Sequence, residues 1–159
     1  LRDALETLDR EGLGDITVCL ETMGKINQLG NLEEVLTLCE MDERLLPCID
    51  FGHLNARDCG SIRGEADYAA ILEALTNRLG QERGSRFHAH FSKIQYTPKG
   101  GEKCHLTFAD TLYGPDFEPL MELLARRGLS PRIICESAGT QAEDAAAMMA
   151  HYNGAKAAE

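Results

Sequence analysis

The stretches ITVCLE (residues 16–21) and LLPCIDF (45–51) decide how this chain is read. Each is a short, almost continuously apolar run with an acid at or near its end, and each gives way to loop residues and then an amphipathic segment. The pattern returns at RFHAHFSKI (86–94) and PRIICES (131–137). Runs without strict alternation are expected of strands covered on both faces. Strand, loop and helix in repetition specify βαβ units and a parallel sheet.

The intervening helices carry their own start and stop signals. In NLEEVLTLCE, Asn31 precedes Glu34 by three residues, a capping-box pattern. ADYAAILEALTNRLG places Tyr68, Ile71, Leu72 and Leu75 on one face and closes on Gly80, a residue suited to the C′ position. DFEPLMELLARRG stops at Gly128, and TQAEDAAAMMAHY pairs Thr140 with Glu143 as a second capping signal. A closed barrel and an open doubly wound sheet both fit this rhythm, but no G-x-G-x-x-G follows a strand, so the dinucleotide-binding version lacks its fingerprint. The expected fold is α/β, a (β/α)₈ TIM barrel. The chain would supply about the last four βα units, as a single domain over residues 1–159.

A first residue inside the amphipathic LRDALETLDREG suggests a longer protein, and four βα units alone would leave two bare sheet edges. The expected partner is therefore a missing N-terminal half-barrel or a second copy of the chain. With 43% hydrophobic residues the chain can bury a core. A net charge of −10 weighs against non-specific nucleic-acid binding, although a local basic rim can sit on an acidic body. No apolar run suits a membrane span and no signal-peptide pattern opens the chain. Of six cysteines none forms a C-x-x-C pair; Cys19, Cys48 and Cys135 lie in apolar runs, as small hydrophobes do. A reduced, cytoplasmic protein is expected.

The chemistry is carried by position. Each run delivers a metal-type ligand: Glu21, Asp50, His90 and Glu136. In a parallel barrel the active site lies at the C-terminal ends of the strands, so four distant residues would meet at one mouth. Period-2 alternation puts Thr17 and Cys19 below Glu21, Cys48 below Asp50 and Ile134 below Glu136. Two Glu, one Asp and one His suit a divalent metal, zinc or manganese, with magnesium or iron as alternatives. His53 and His105, on loops near strand ends, are candidate secondary ligands or substrate contacts. His88 is expected to be a hydrogen-bonded core histidine and His151 a surface one. Lys25, Arg57, Arg63, Lys93, Lys99 and Lys103 all follow strand ends; this rim, Lys25, Lys93 and Arg57 above all, would hold a phosphate.

Taken in order, ETMGK (21–25), CIDFGH (48–53), HFSKIQYT (90–97), HLTF (105–108) and ICES (134–137) resemble the AP endonuclease family 2 barrels of the xylose isomerase-like superfamily. The resemblance covers nearly the whole chain. It implies that Glu21, Asp50, His90 and Glu136 hold the central metal, with Glu21 bridging to a second ion whose histidines come from the N-terminal half. It also implies that His53 and His105 belong to a third ion. The remaining ligand there is an Asp two residues before the second His, where this chain has Lys103. Two reactions follow from the resemblance. One is metal-dependent phosphodiester hydrolysis of abasic-site DNA, with Glu136 handling the attacking water. The other is isomerisation or epimerisation of a small sugar substrate, with Glu21 and Glu136 as the acid–base pair. There His53 and Lys93 would orient the substrate. A non-catalytic barrel is the third reading.

Overall fold

The computed structural model describes residues 1–158. Helix α1 (Arg2–Arg10) leads through a turn into strand β1 (Val18–Glu21), and α2 (Leu32–Cys39) follows. Strand β2 (Leu45–Asp50) passes directly into the short α3 (Phe51–Arg57), then α4 (Glu65–Ser85) and β3 (His88–Phe91). A hairpin of β4 (Lys93–Thr97) and β5 (Gly101–Leu106) precedes α5 (Glu118–Arg126), β6 (Arg132–Cys135) and α6 (Gln141–Ala157). No helix of the described residues is long and apolar enough to cross a membrane.

Strands β1, β2, β3 and β6 form one parallel sheet in that order. The four apolar runs are thus its strands, in chain order, with helices between. The outward face carries Val18, Leu20, Leu45, Ile49, Ala89, Phe91, Ile133 and Cys135, which pack into a core with Leu36, Tyr68, Leu72, Leu75, Leu120 and Leu124 from the helices. Burial of this apolar layer, at about 25 cal/mol per Å² of area removed from water, is the main force fixing the helices to the sheet.

The inward face differs from the expectation of strands covered on both sides. Ile134 is 47% exposed and Cys19 lies open, so Cys19 is not a buried hydrophobe here. Thr17, Cys19, Leu46, His88 and Arg132 line one concavity of about 580 Å³ on this side. Among the described residues no strand pairs with the outer edge of β1 or β6. Among the described residues the parallel sheet is therefore four strands wide and open at both edges, a segment of a barrel. All six cysteines are free.

Several local signals act as the sequence implies. Asn31 caps α2 through a full capping box with Glu34. Gly80 takes φ +77° and ψ 165°, a positive-φ backbone open to glycine but not the αL geometry of a C′ residue, and the chain then resumes a helical course to Ser85, so the predicted stop is a kink. At α6, Thr140 makes no cap to the backbone; its hydroxyl bonds Asp144 Oδ2 at 2.9 Å, and the capping signal with Glu143 is not used. The run at 86–94 is not one strand. It breaks at the buried Ser92, and Lys93 onward leaves the parallel sheet for the hairpin.

Candidate metal centre

At the C-terminal ends of the parallel strands, Glu21, Asp50, His90 and Glu136 each offer a ligand atom, and these atoms all lie within 4.8 Å of one another. Register explains the convergence. Asp50 pairs with His90 across β2 and β3, and Glu136 follows β6 with its N–H bonded to the Phe91 carbonyl at 3.0 Å. In a parallel sheet paired residues face the same side, so each strand sends its last inward residue to one mouth. His90 Nδ1 stands 3.3 Å from Glu21 Oε1 and 3.3 Å from Glu136 Oε1.

Asp50 is the most enclosed of the four, with no exposed surface. Its Oδ1 accepts the N–H of His53 at 2.7 Å and so caps α3, while Oδ2 is buried without a hydrogen-bond partner. An orphaned carboxylate oxygen beside two glutamates and an imidazole is a fit for a divalent cation: hard oxygen donors with one nitrogen, and negative charge needing compensation. Burial pushes the Asp50 carboxyl above its ordinary range, partly opposed by His53. Glu21 moves the other way, held down mainly by its hydrogen bond to His53.

His53 is buried between the two sides of this mouth. Burial pushes its imidazole down, but the hydrogen bond with Glu21, the charge of Asp50, the Thr22 carbonyl and the charge of Glu102 outweigh that and pull it up to about 9. Its Nδ1 donates to Thr22 O at 2.9 Å, which turns Nε2 toward Glu102 Oε2, 3.6 Å away. His105 presents Nε2 to Glu102 Oε1 at 3.9 Å and to Glu136 Oε2 at 4.0 Å. His53, Glu102 and His105 therefore make a second group of donor atoms within 4.8 Å of one another, adjoining the first through Glu21 and Glu136.

Glu102 escapes the sequence reading, which looks for an acid at position 103. The hairpin register shifts between Gln95 and Tyr96: Gln95 faces Cys104, but Tyr96 faces Glu102. Lys103 is the extra residue of this bulge and is exposed. A bulge shifts the side-chain alternation by one, which turns Glu102 to the side of His105. Gly24 makes room for it, since a Cβ there would lie 2.7 Å from Glu102 Cβ. The turn TPKGG (97–101) is a hairpin signal in the sequence, but nothing in it marks the bulge.

The basic residues are placed otherwise than a phosphate rim requires. One Arg57 guanidinium donates to four carbonyls of the loop after β1: Met23 at 3.1 Å, Lys25 at 2.8 Å, Gln28 at 3.0 Å and Ile26 at 3.1 Å. Lys93 is buried, and its Nζ donates to Asp110 O at 2.7 Å and pairs with Asp116 at 2.8 Å. Both are engaged in holding loops. Arg63 donates to Gly60 O at 3.3 Å, while Lys25, Lys99 and Lys103 project from the surface. His88 is not a hydrogen-bonded core histidine. It is half-buried on the inward face with its ring edge-on to His90 at 5.3 Å, and burial lowers its pKa. It forms a donor group with Cys48 and His90, but His90 belongs equally to the upper quartet. His151 lies at the rim of α6, 3.1 Å from Glu122.

A parallel α/β barrel segment with acidic and imidazole side chains gathered at its strand ends defines the class: an α/β barrel with a candidate metal centre at the mouth. The sequence matches the xylose isomerase-like TIM barrel family, AP endonuclease 2, over residues 1–152, and the chain belongs to it. It is 38% identical over 133 residues to an uncharacterised protein of Methanocaldococcus jannaschii, a match that covers 84% of this chain and 47% of that protein. The chain thus spans about half the length of the curated relative it matches. No solved structure matches the chain significantly.

Proposed function

We propose that this chain carries the cation-binding mouth of a divalent-metal-dependent phosphodiester hydrolase acting on abasic-site DNA, with zinc or manganese as the metal. The observation that carries this reading is the second donor group, His53–Glu102–His105, set against the quartet Glu21–Asp50–His90–Glu136. Adjacent cation positions suit phosphoryl chemistry, where charge must be neutralised on both the attacking and leaving oxygens. A sugar isomerase needs only the quartet.

Bound at these residues, divalent cations would supply Lewis-acid activation of water and neutralise phosphate charge. The protein's own contributions follow from its geometry. Glu136, about one-third exposed at the mouth, accepts the proton of the attacking water. Glu21, equally accessible, faces the same opening beside His90. Asp50, capped in place and without exposed surface, holds position and takes no proton from substrate. Lys25, Lys99 and Lys103 are the exposed cations near this end, and they would meet the DNA backbone. The facing half of the barrel is proposed to come from the N-terminal part of the longer protein.

A second reading rests on its own observation. Glu21 and Glu136 each stand 3.3 Å from His90 Nδ1, which suits an acid–base pair working on a sugar carbonyl. The full-length protein, loaded with zinc or manganese, is to be assayed on abasic-site duplex DNA and on a ketose panel, alongside Glu136→Gln. Strand cleavage that chelator and Glu136→Gln abolish is expected. Ketose turnover without cleavage would transfer the site to the isomerase reading, and no turnover on either substrate, with metal content unchanged in Glu136→Gln, would leave an inert barrel.

A further inference from the structure

The two histidines of the second donor group are held at the same ring atom by different kinds of partner. His53 Nδ1 meets the Thr22 carbonyl at 2.9 Å. A carbonyl only accepts, so Nδ1 carries the proton and Nε2 is left bare in the neutral ring. His105 Nδ1 meets the Ser92 hydroxyl at 2.8 Å. A hydroxyl donates or accepts, so this contact permits either tautomer, and the ring is committed only when its Nε2 is engaged. Ser92 has no exposed surface and sits at the break between β3 and β4, the one residue separating the parallel sheet from the hairpin that carries His105. Its neighbourhood is tight: a Cβ on Gly52 would lie 2.5 Å from the Ser92 carbonyl oxygen. The hydroxyl is therefore a fixed point on the barrel wall, to which a side chain from the hairpin is tied.

We infer that Ser92 is a positioning residue: its hydroxyl holds His105 by Nδ1, so that Nε2 faces Glu102 and the group His53–Glu102–His105 can take a divalent cation. This rests on the two-cation reading above. When a cation engages Nε2, Nδ1 must bear the proton and Ser92 Oγ must accept it. With the cation bound, the serine thus stabilises the binding tautomer by accepting that hydrogen bond, as outer hydrogen-bond partners of metal-binding histidines do. Thr22 does the same for His53 with no freedom of choice. The hairpin strand and the sheet are joined here by one hydrogen bond, and the second donor group exists only while that bond keeps the ring turned inward.

The test is zinc titration of the full chain by equilibrium dialysis, with the imidazole nitrogens followed by ¹⁵N NMR. His105→Ala defines which equivalent of zinc belongs to the second group. Ser92→Ala is expected to weaken that equivalent by about 10–100-fold, to leave the quartet's equivalent and the far-UV circular dichroism unchanged, and to release His105 into mixed tautomers while His53 keeps its own. Ser92→Thr, which retains the hydroxyl, is expected to recover the affinity. Unchanged zinc affinity and an unchanged His105 tautomer in Ser92→Ala would overturn the inference while leaving the second group standing. Equal loss in both Ser92 variants with the tautomer unmoved would mark a packing role and overturn it too. If His105→Ala removes no zinc, the two-cation reading falls and Ser92's role falls with it.

Discussion

Asp50 Oδ1 accepts the backbone N–H of His53 at 2.7 Å, while Oδ2 of the same carboxylate is buried and accepts no hydrogen bond, with the His53 ring Nδ1 3.4 Å away. One oxygen starts α3; the other is left for the mouth. The two duties separate in variants. Asp50→Asn keeps a cap acceptor and removes the charge, so zinc affinity is expected to fall more than 100-fold, beyond the roughly 10–100-fold typical of losing an outer hydrogen-bond partner. In chelator near neutral pH its melting temperature should change little, because relief of the buried charge is offset by the lost attraction to the protonated His53. Asp50→Ala loses the cap as well, at about 1 kcal/mol. Calorimetric titration and thermal melts check both; full zinc binding by Asp50→Asn would remove Asp50 from the centre.

His53 gives the metal-free chain a pH dependence of its own. Its folded pKa, pulled up to about 9, lies above its ordinary 6.5. The folded state therefore holds the proton more tightly than the unfolded state. The resulting stability is fully present below about pH 6.5 and is lost as pH rises through about 9. At about 1.4 kcal/mol per pKa unit, the loss is on the order of a few kcal/mol. Urea melts in chelator from pH 6 to 10 should show this decline, and His53→Gln should flatten it. Saturating zinc should flatten it too, since a cation takes over the proton's task among these carboxylates.

How much of this was legible before any coordinates is clearest at the strand ends. Glu21, Asp50, His90 and Glu136 are found from sequence because a parallel sheet sends strand ends to one side, and each apolar run supplies its last polar inward residue. The capping box at Asn31 and the positive φ of Gly80 were equally readable, being local chemistry. The start of the hairpin was not. TPKGG (97–101) signals its turn, but its first strand continues the run at 86–94, and Ser92 reads as an ordinary strand residue. Glu102 was hidden by a bulge, which changes side-chain alternation without a sequence mark. Arg57 and Lys93, read as phosphate contacts, are engaged with loop carbonyls instead. A cation following a strand end can grip a ligand or the protein's own carbonyls, and only the three-dimensional path of the loops distinguishes the two.

Arg57 yields a prediction about architecture. Its planar guanidinium gathers four carbonyls between Met23 and Gln28 and so folds the loop that follows Glu21. A lysine ammonium cannot reproduce that fork. Arg57→Lys should cost roughly 1–3 kcal/mol, as expected for losing hydrogen bonds from a charged donor, and Arg57→Ala at least as much. Both should weaken zinc binding indirectly, because Gly24 and Thr22 lie at the start of the same loop. Urea denaturation measures the first effect. An Arg57→Lys variant of unchanged stability that loses only DNA affinity would return this residue to the phosphate-gripping role.

The bulge in β5 makes a prediction that positional reasoning alone would get backwards. If the acid of the second group had to stand two residues before His105, Lys103→Asp would complete it. With Lys103 as the extra residue of the bulge, exposed and facing away, the acid that counts is Glu102, three residues before His105. Lys103→Asp should therefore leave zinc stoichiometry unchanged, though it removes one exposed cation and so lowers DNA affinity and its salt dependence slightly. Glu102→Gln should cost the equivalent of zinc that His105→Ala also costs, and should leave the quartet's equivalent in place. The two variants have opposite expectations on one measurement, metal content by elemental analysis after dialysis. Gain of zinc in Lys103→Asp, with no loss in Glu102→Gln, would mean that β5 runs in regular register and that the acid belongs at position 103.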